Sequence, residues 1–369
     1  MSTSNICEFT YGIHNCEGSK EYKILYIICI VMWFIPCIFS FSLLYWKFKY
    51  RKNSKLFIDK LFAPLEGFLL WNGISNLAHI IHYVVILGNF FSGYPVIREL
   101  IFAFSWSFGF VGIYSFIAGM FQSILCMKFE QFTTSATHRT LENANNDSRN
   151  RSTTVWIPKG YQVTISFWAL TFLLFALTTT FSIIMGLNRN IVRENDAFMR
   201  HNKPFLFANG FLFGTLWFNC VLIFTILRYY GRNLVRIIKE SFTLTGIQDT
   251  RDSDVPDRIK RKLENAKNTF EAYINELRTF NYGICALMLW FSISLIPLAV
   301  IYERIFKTLW IGLLLTAISN FLTSTCLTIV LIKILKAELN PYREEATAEA
   351  LIELNEMNSY FSEVDSSEV

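Results

Sequence analysis

Seven apolar runs leave this 369-residue chain few ways to fold. They lie at about 24–46, 65–90, 100–127, 163–187, 205–227, 280–302 and 309–334. Each reaches or exceeds the ~20 helical residues needed to cross ~30 Å of hydrocarbon. Backbone amides in lipid must be satisfied within the segment, which makes helices of such runs. The expected fold is therefore an all-α membrane protein, a seven-transmembrane helix bundle over residues 24–337. Composition agrees, with 53% hydrophobic and only 17% charged residues. The 36 Phe and 16 Tyr suit lipid-facing and interfacial surfaces.

The longest polar interruption, residues 228–278, sets the sidedness. It carries Arg228, Arg232, Arg236, Lys239, Arg251, Arg258, Lys260, Arg261, Lys262, Lys267 and Arg278, and the side that keeps Lys and Arg is normally the cytoplasm. Lys47, Lys49, Arg51, Lys52, Lys55 and Lys60 after the first run give the same answer. An odd number of spans then puts the amino-terminal segment 1–23 outside, with the acidic tail 338–369 in the cytoplasm. Segment 1–23 lacks a basic leader and a short apolar core, so no removable signal peptide is expected. Its Cys7 and Cys16 can pair if they face an oxidising compartment, and a reduced pair is the alternative. The other cysteines read as small buried thiols. Asn146-Asp147-Ser148 and Asn150-Arg151-Ser152 have the glycosylation pattern but fall in a loop, 128–159, assigned to the cytoplasm, with a disordered stretch from Thr133 to Thr154.

The second half of segment 228–278 reads as a helix. Ser253 or Asp254 can cap it and Pro256 suits its first turn. Ile259, Leu263, Ala266, Phe270, Tyr273 and Leu277 then repeat at steps of four and three. This rod continues into the sixth run, so the third cytoplasmic loop is long and helical. Arg258, Lys260, Arg261, Lys262, Leu263 and Phe270 are its candidate coupling residues toward a cytoplasmic signalling protein. Contact with anionic lipid is the competing role for the four cations. The net charge of +5 is concentrated at span ends, so it does not point to nucleic acid.

Within the spans, polar side chains are costly unless they face the bundle interior or water. Asn72, Asn76 and His79 fall on one face of the second run, with His82 a turn further and Glu66 near its start. Together with Gln122, Trp290 and Asn320 they are the candidate ligand-binding residues, for a small molecule or a peptide. Helix-to-helix hydrogen bonding is the plainer role, and it also suits Ser105, Ser107, Thr178 and Thr316. A zinc site begun by His79, His82 and Glu66 is a third reading, but His14, His138 and His201 lie in loops and supply no deep ligand. No metal and no cofactor are expected. Ser-His-Asp spacing, a phosphate-binding glycine loop and paired catalytic carboxylates are missing, so neither is an enzyme.

Seven spans, an outside amino terminus, a long basic third cytoplasmic loop and an acidic cytoplasmic tail resemble a G-protein-coupled receptor in architecture. The motifs of the rhodopsin-like group are not shared. The third run ends in Cys126-Met127-Lys128-Phe129-Glu130, Asn340-Pro341-Tyr342 follows the seventh run, and Trp290 and Pro297 stand seven residues apart. Lys60-Leu61-Phe62 leading into an Asn-containing second run is similar to the tobamovirus-multiplication-type seven-span proteins. The resemblance implies a divergent receptor of the plasma membrane that couples an outside or membrane-borne signal to a partner such as a G protein. A small-solute carrier or a membrane scaffold is the competing class. The absence of a repeat between runs one to three and five to seven argues against a carrier.

Overall fold

The computed structural model describes residues 12–14, 16, 18–50, 57, 58, 61–138, 159–194, 203–244, 278, 281–300 and 309–338. Among them are seven long helices: α1 (Ser19–Tyr50), α2 (Pro64–Leu87), α3 (Pro95–His138), α4 (Gly160–Glu194), α5 (Lys203–Leu244), α6 (Asn281–Val300) and α7 (Leu309–Glu338). Each contains a stretch long and apolar enough to cross a membrane, and the chain is an integral membrane protein with seven candidate spans. Among the described residues the exceptions to helix, turn and loop are one ladder of two residues a side, β1 (Phe57–Ile58) with β2 (Leu61–Phe62), and a bridge residue at Gly12.

Helix α1 shows how sequence becomes surface. Its buried face is Tyr22, Tyr26, Cys29, Trp33, Cys37, Ser40, Leu44 and Lys47. Ile24, Ile27, Val31, Phe34 and Ile38 are exposed on the other face. Both sets step by three and four, but the side chains with polar atoms or sulfur point inward, with Leu44, while Ile, Val and Phe point out. A water-soluble helix would have the reverse. The same inversion leaves Phe172 and Val300 each 76% exposed.

The helices run past the apolar runs at several ends. Pro95, which precedes the third apolar run, opens α3, where its missing N–H costs nothing. Helix α3 then persists to His138, into the part of loop 128–159 expected to be disordered, because Cys126 to Phe132 contains no helix breaker. Helix α5 likewise persists to Leu244, so segment 228–278 begins as helix. Conversely, α2 stops at Leu87, before the expected Phe90, because the chain turns at Gly88. The turn holds Asn89 and Phe91 at φ 52° and 55°, a region that an aromatic residue seldom visits. Arg98, one turn into α3, clamps it by donating from Nε to the Phe90 carbonyl at 2.8 Å and from Nη2 to Oδ1 of Asn89 at 2.9 Å. Helix α1 continues through Pro36. The rod at 259–277 and the tail beyond Glu338 lie outside the described residues.

Two compact units divide the chain. The first, residues 1–225 with 285–328, contains α2 packed between α1 and α3, and α3 packed on α4. One end of it gathers the starts of α1, α3, α5 and α7 with the ends of α2, α4 and α6; it is called the mouth below. At the opposite end, Nζ of Lys47 in the last turn of α1 lies 3.0 Å from Oε1 of Glu66 in the first turn of α2. Each charge also sits at the helix end whose dipole favours it. The second unit is residues 226–284 with 329–369. There Asn281 donates from Nδ2 to the Leu227 carbonyl at 3.2 Å, and a Cβ on Gly231 would fall 2.2 Å from that nitrogen.

Near the mouth, α4 meets α3 backbone to side-chain-free backbone: a Cβ on Gly186 would lie 2.4 Å from Cα of Val96. Because main chain cannot step aside, Gly186→Ala is expected to destabilise the bundle by about 1–3 kcal/mol. Gly160→Ala, where a Cβ meets nothing within 4 Å, should change stability by less than about 0.5 kcal/mol. Thermal unfolding of the two variants in one detergent makes the comparison.

Candidate functional site

One face of α2 brings polar chemistry into the first unit. Asn72, Asn76, His79 and His82 are all buried, Asn76 completely. His79 stacks on Trp33 of α1 at 4.2 Å between ring centres, and Trp106 of α3 meets its edge at 4.7 Å. Trp33 in turn donates from Nε1 to Oδ1 of Asn320 on α7 at 2.8 Å. The Tyr83 hydroxyl donates to the same oxygen. Nδ2 of Asn320 is used within its own helix, on the Thr316 carbonyl at 2.7 Å. Asn320 thereby ties α1, α2 and α7 through one carboxamide.

Beside this cluster is a cavity of about 60 Å³. His82 and Tyr83 of α2, Trp106 of α3, Cys220 of α5, Ser294 of α6 and Asn320 of α7 are among the side chains that line it. Most of the wall is apolar or aromatic, and the polar groups sit on α2, α6 and α7. A cavity of roughly 150 Å³ accommodates a benzene ring, whereas a water needs about 10–15 Å³ by a comparable measure. The cavity as it stands therefore suits a few waters or one small group. Nδ1 of His82, Nδ2 of Asn72 and both side-chain polar atoms of Asn76 find no hydrogen-bond partner among the described residues. Such atoms are held in an apolar interior only where water or a ligand can meet them.

The mouth is closed by the segment before α1. Ile13 is wholly buried in a cluster with Tyr22, Tyr26, Cys29, Trp33, Tyr83 and Ile86. Its carbonyl accepts from Oγ of Ser19 at 2.6 Å, and His14 donates from Nε2 to the Ile86 carbonyl at 3.0 Å. Cys16 is disulfide-bonded. Burying one Ile contributes about 1.5–3 kcal/mol and each hydrogen bond about 0.5–1.5.

Charge is handled at the mouth as well. Arg189 at the end of α4 donates from Nε and Nη2 to Oε1 of Glu99 at 2.8 and 2.5 Å, and its guanidinium lies 5.2 Å from the ring centre of Phe205. Both side chains are almost fully buried. On the other side of the first unit a recess of about 610 Å³ opens between α4 and α5 over Gly210 and Gly214, walled by exposed Leu173, Phe207, Phe211 and Phe218. Asn219 at its floor accepts from the Tyr114 hydroxyl.

Of the residues singled out from sequence, Asn72, Asn76, His79, His82 and Asn320 lie inside the first unit, and His82 and Asn320 share the cavity. Trp290 is half-buried and does not line it. Gln122 is on α3, but its side chain lies outside the described residues, as do Cys7, Arg258, Lys260, Arg261, Lys262, Leu263 and Phe270. The zinc reading fails on distance. Glu66 is spent on Lys47, and its thirteen-residue separation from His79 puts it about 20 Å along the helix. Sequence reasoning passed over Trp33, Tyr83 and Ile13, which read as ordinary apolar residues, and over Arg98, Glu99 and Arg189, assigned to turns. The signal for the last three was present: opposite charges at the ends of adjacent runs. No family model, curated protein or solved structure matches the chain.

Replacing Asn320 by Leu strands two buried donors, Trp33 Nε1 and the Tyr83 hydroxyl, each costing about 1–3 kcal/mol. A clear drop in the unfolding temperature is expected. Adding Trp33→Phe and Tyr83→Phe to Asn320→Leu should recover part of it, since no donor is then left unmet. A triple variant less stable than the single one by the sum of two further independent losses would show that the carboxamide is not the hub.

Proposed function

We propose that the protein is a seven-span, receptor-like protein of the plasma membrane. On this reading a ligand or membrane-borne signal acts at the mouth-side cavity, and a cytoplasmic partner such as a G protein reads the result at segment 228–278. The observation that carries the proposal is the cavity's wall: α2, α3, α5, α6 and α7 all contribute to it. Two of these, α5 and α6, are the helices that flank segment 228–278. A change of occupant therefore acts on the two helices that deliver the output segment. An outside mouth and a cytoplasmic opposite end are supported by the disulfide at Cys16. The basic residues Lys47, Lys49, Arg228, Arg232, Lys333 and Lys336 at the other helix ends support the same orientation.

A carrier is the second reading, favoured by the row Asn72, Asn76 and His82, whose unmet polar atoms could pass a solute or proton along α2. A deletion of residues 246–257, which begins beyond the end of α5, separates the two. The receptor reading expects surface expression to be retained, ligand binding retained and coupling lost; unchanged coupling, or solute uptake that survives the deletion, favours the carrier. Within the second unit, Gly231→Leu drives α5 and α6 apart where they now touch at Asn281. If splaying of these helices exposes the rod, this variant should raise basal coupling several-fold, measured in cells against a surface-expression control.

A further inference from the structure

The mouth cluster has the form of a binding site whose occupant is part of the same chain. A branched aliphatic side chain, Ile13, is wholly buried in one cluster with Tyr22, Tyr26, Tyr83 and Ile86, which form its socket. The rings are mutually packed: Tyr22 meets Tyr26 edge-on at 6.1 Å, and Tyr26 meets Tyr83 at 5.0 Å. A hydroxyl, Ser19 Oγ, is set to donate to the carbonyl that follows this side chain. A carbonyl at the end of α2, Ile86, receives a donor from the next residue. Shape and the Ser19 donor thus select a branched aliphatic group attached to an amide carbonyl, while the Ile86 acceptor is met by the imidazole of the next residue. The arm precedes the first helix, which begins only at Ser19.

We propose that this socket is an exchangeable site for a branched aliphatic amide, as presented by a peptide bearing Ile, Val or Leu, and that Ile13 fills it in cis. Tyr83 is both a wall of the socket and a donor to Asn320, which lines the cavity. Replacing the arm by an outside ligand is therefore felt at the cavity. The inference concerns what the mouth binds and stands whether the chain signals or transports.

The test uses the full chain and its Ile13→Gly variant in phosphatidylcholine vesicles, with 3-methylpentanamide, which copies the Ile side chain and its carbonyl. Hexanamide is the unbranched isomer and N-acetylisoleucinamide the peptide-like arm. In Ile13→Gly the branched amide should raise the unfolding temperature saturably, with hexanamide at least tenfold weaker. In the unaltered chain the same amide should speed hydrogen exchange at residues 12–18, without speeding it in α1, and should need at least tenfold more because it competes with Ile13. A stronger response to N-acetylisoleucinamide than to 3-methylpentanamide assigns the site to peptides; the reverse assigns it to small amides. If concentrations that saturate Ile13→Gly leave the arm's exchange in the unaltered chain unmoved, Ile13 is a fixed plug and the proposal is overturned. Equal shifts by branched and linear amides in both proteins would mean partition into the bilayer and would also overturn it.

Discussion

A polar atom in hydrocarbon has to find its partner inside the protein, and the first unit is arranged by that requirement. In water a carboxamide such as that of Asn320 would hydrogen-bond to solvent at no structural cost. Here its oxygen accepts from two aromatic side chains on two other helices, and its nitrogen bonds one turn back in its own. Lipid supplies no hydrophobic force to press helices together, so contacts of this kind and close packing must do it. Ser75 donating to the Ser105 carbonyl at 2.6 Å, and Ser324 to that of Met32 at 2.6 Å, tie α2 to α3 and α7 to α1 in the same way. Each satisfies its donor where a neighbouring main chain is close enough to reach.

Full charges obey the rule more strictly, and the two buried ion pairs of the first unit both sit near helix ends. The pairs Lys47 with Glu66 and Arg189 with Glu99 are both buried. Removing one member of such a pair leaves the other uncompensated, at a cost of roughly 3–5 kcal/mol, although the intact pair contributes little net stability. Their value is positional. Each joins helices adjacent in the chain at one end, so the two pairs fix the register of α1 with α2 and of α3 with α4. Arg98 uses its charge differently, holding backbone oxygen in a turn that carries two residues at positive φ.

The spans were legible because twenty apolar residues in a row have one solution in a membrane. Their ends were less so. Apolar content reports where hydrocarbon ends, whereas a helix continues until a breaker, and neither Cys126–His138 nor Arg228–Leu244 contains a proline. The row Asn72, Asn76, His79 and His82 stood out because polarity in an apolar run is conspicuous. Trp33 and Tyr83 did not, since an indole or phenol in a span looks like lipid-facing or interfacial surface until a partner on a distant helix is known. Ile13 was hidden for another reason. One aliphatic residue in a short polar segment has no periodicity to betray it, and its burial depends on α1, α2 and α7 arriving at the same place.

Size decides how the mouth and the cavity must work together. At about 60 Å³ the cavity takes little more than a few waters, so a ligand large enough to be selective cannot simply drop in. Either the cavity grows or the ligand binds nearer the surface. Growth from within requires moving Trp106 or Phe291, whose rings meet edge-on at 5.2 Å across α3 and α6, and close-packed rings yield in discrete steps. Binding nearer the surface requires only that Ile13 leave its socket. That route disturbs Tyr83 first and Asn320 through it, loosening the one carboxamide that joins α1, α2 and α7, and only then changes the space that α5 and α6 share. The arm thus lies at the entrance with the close-packed rings behind it, an order that lets binding free energy at the mouth bias the helices deeper in.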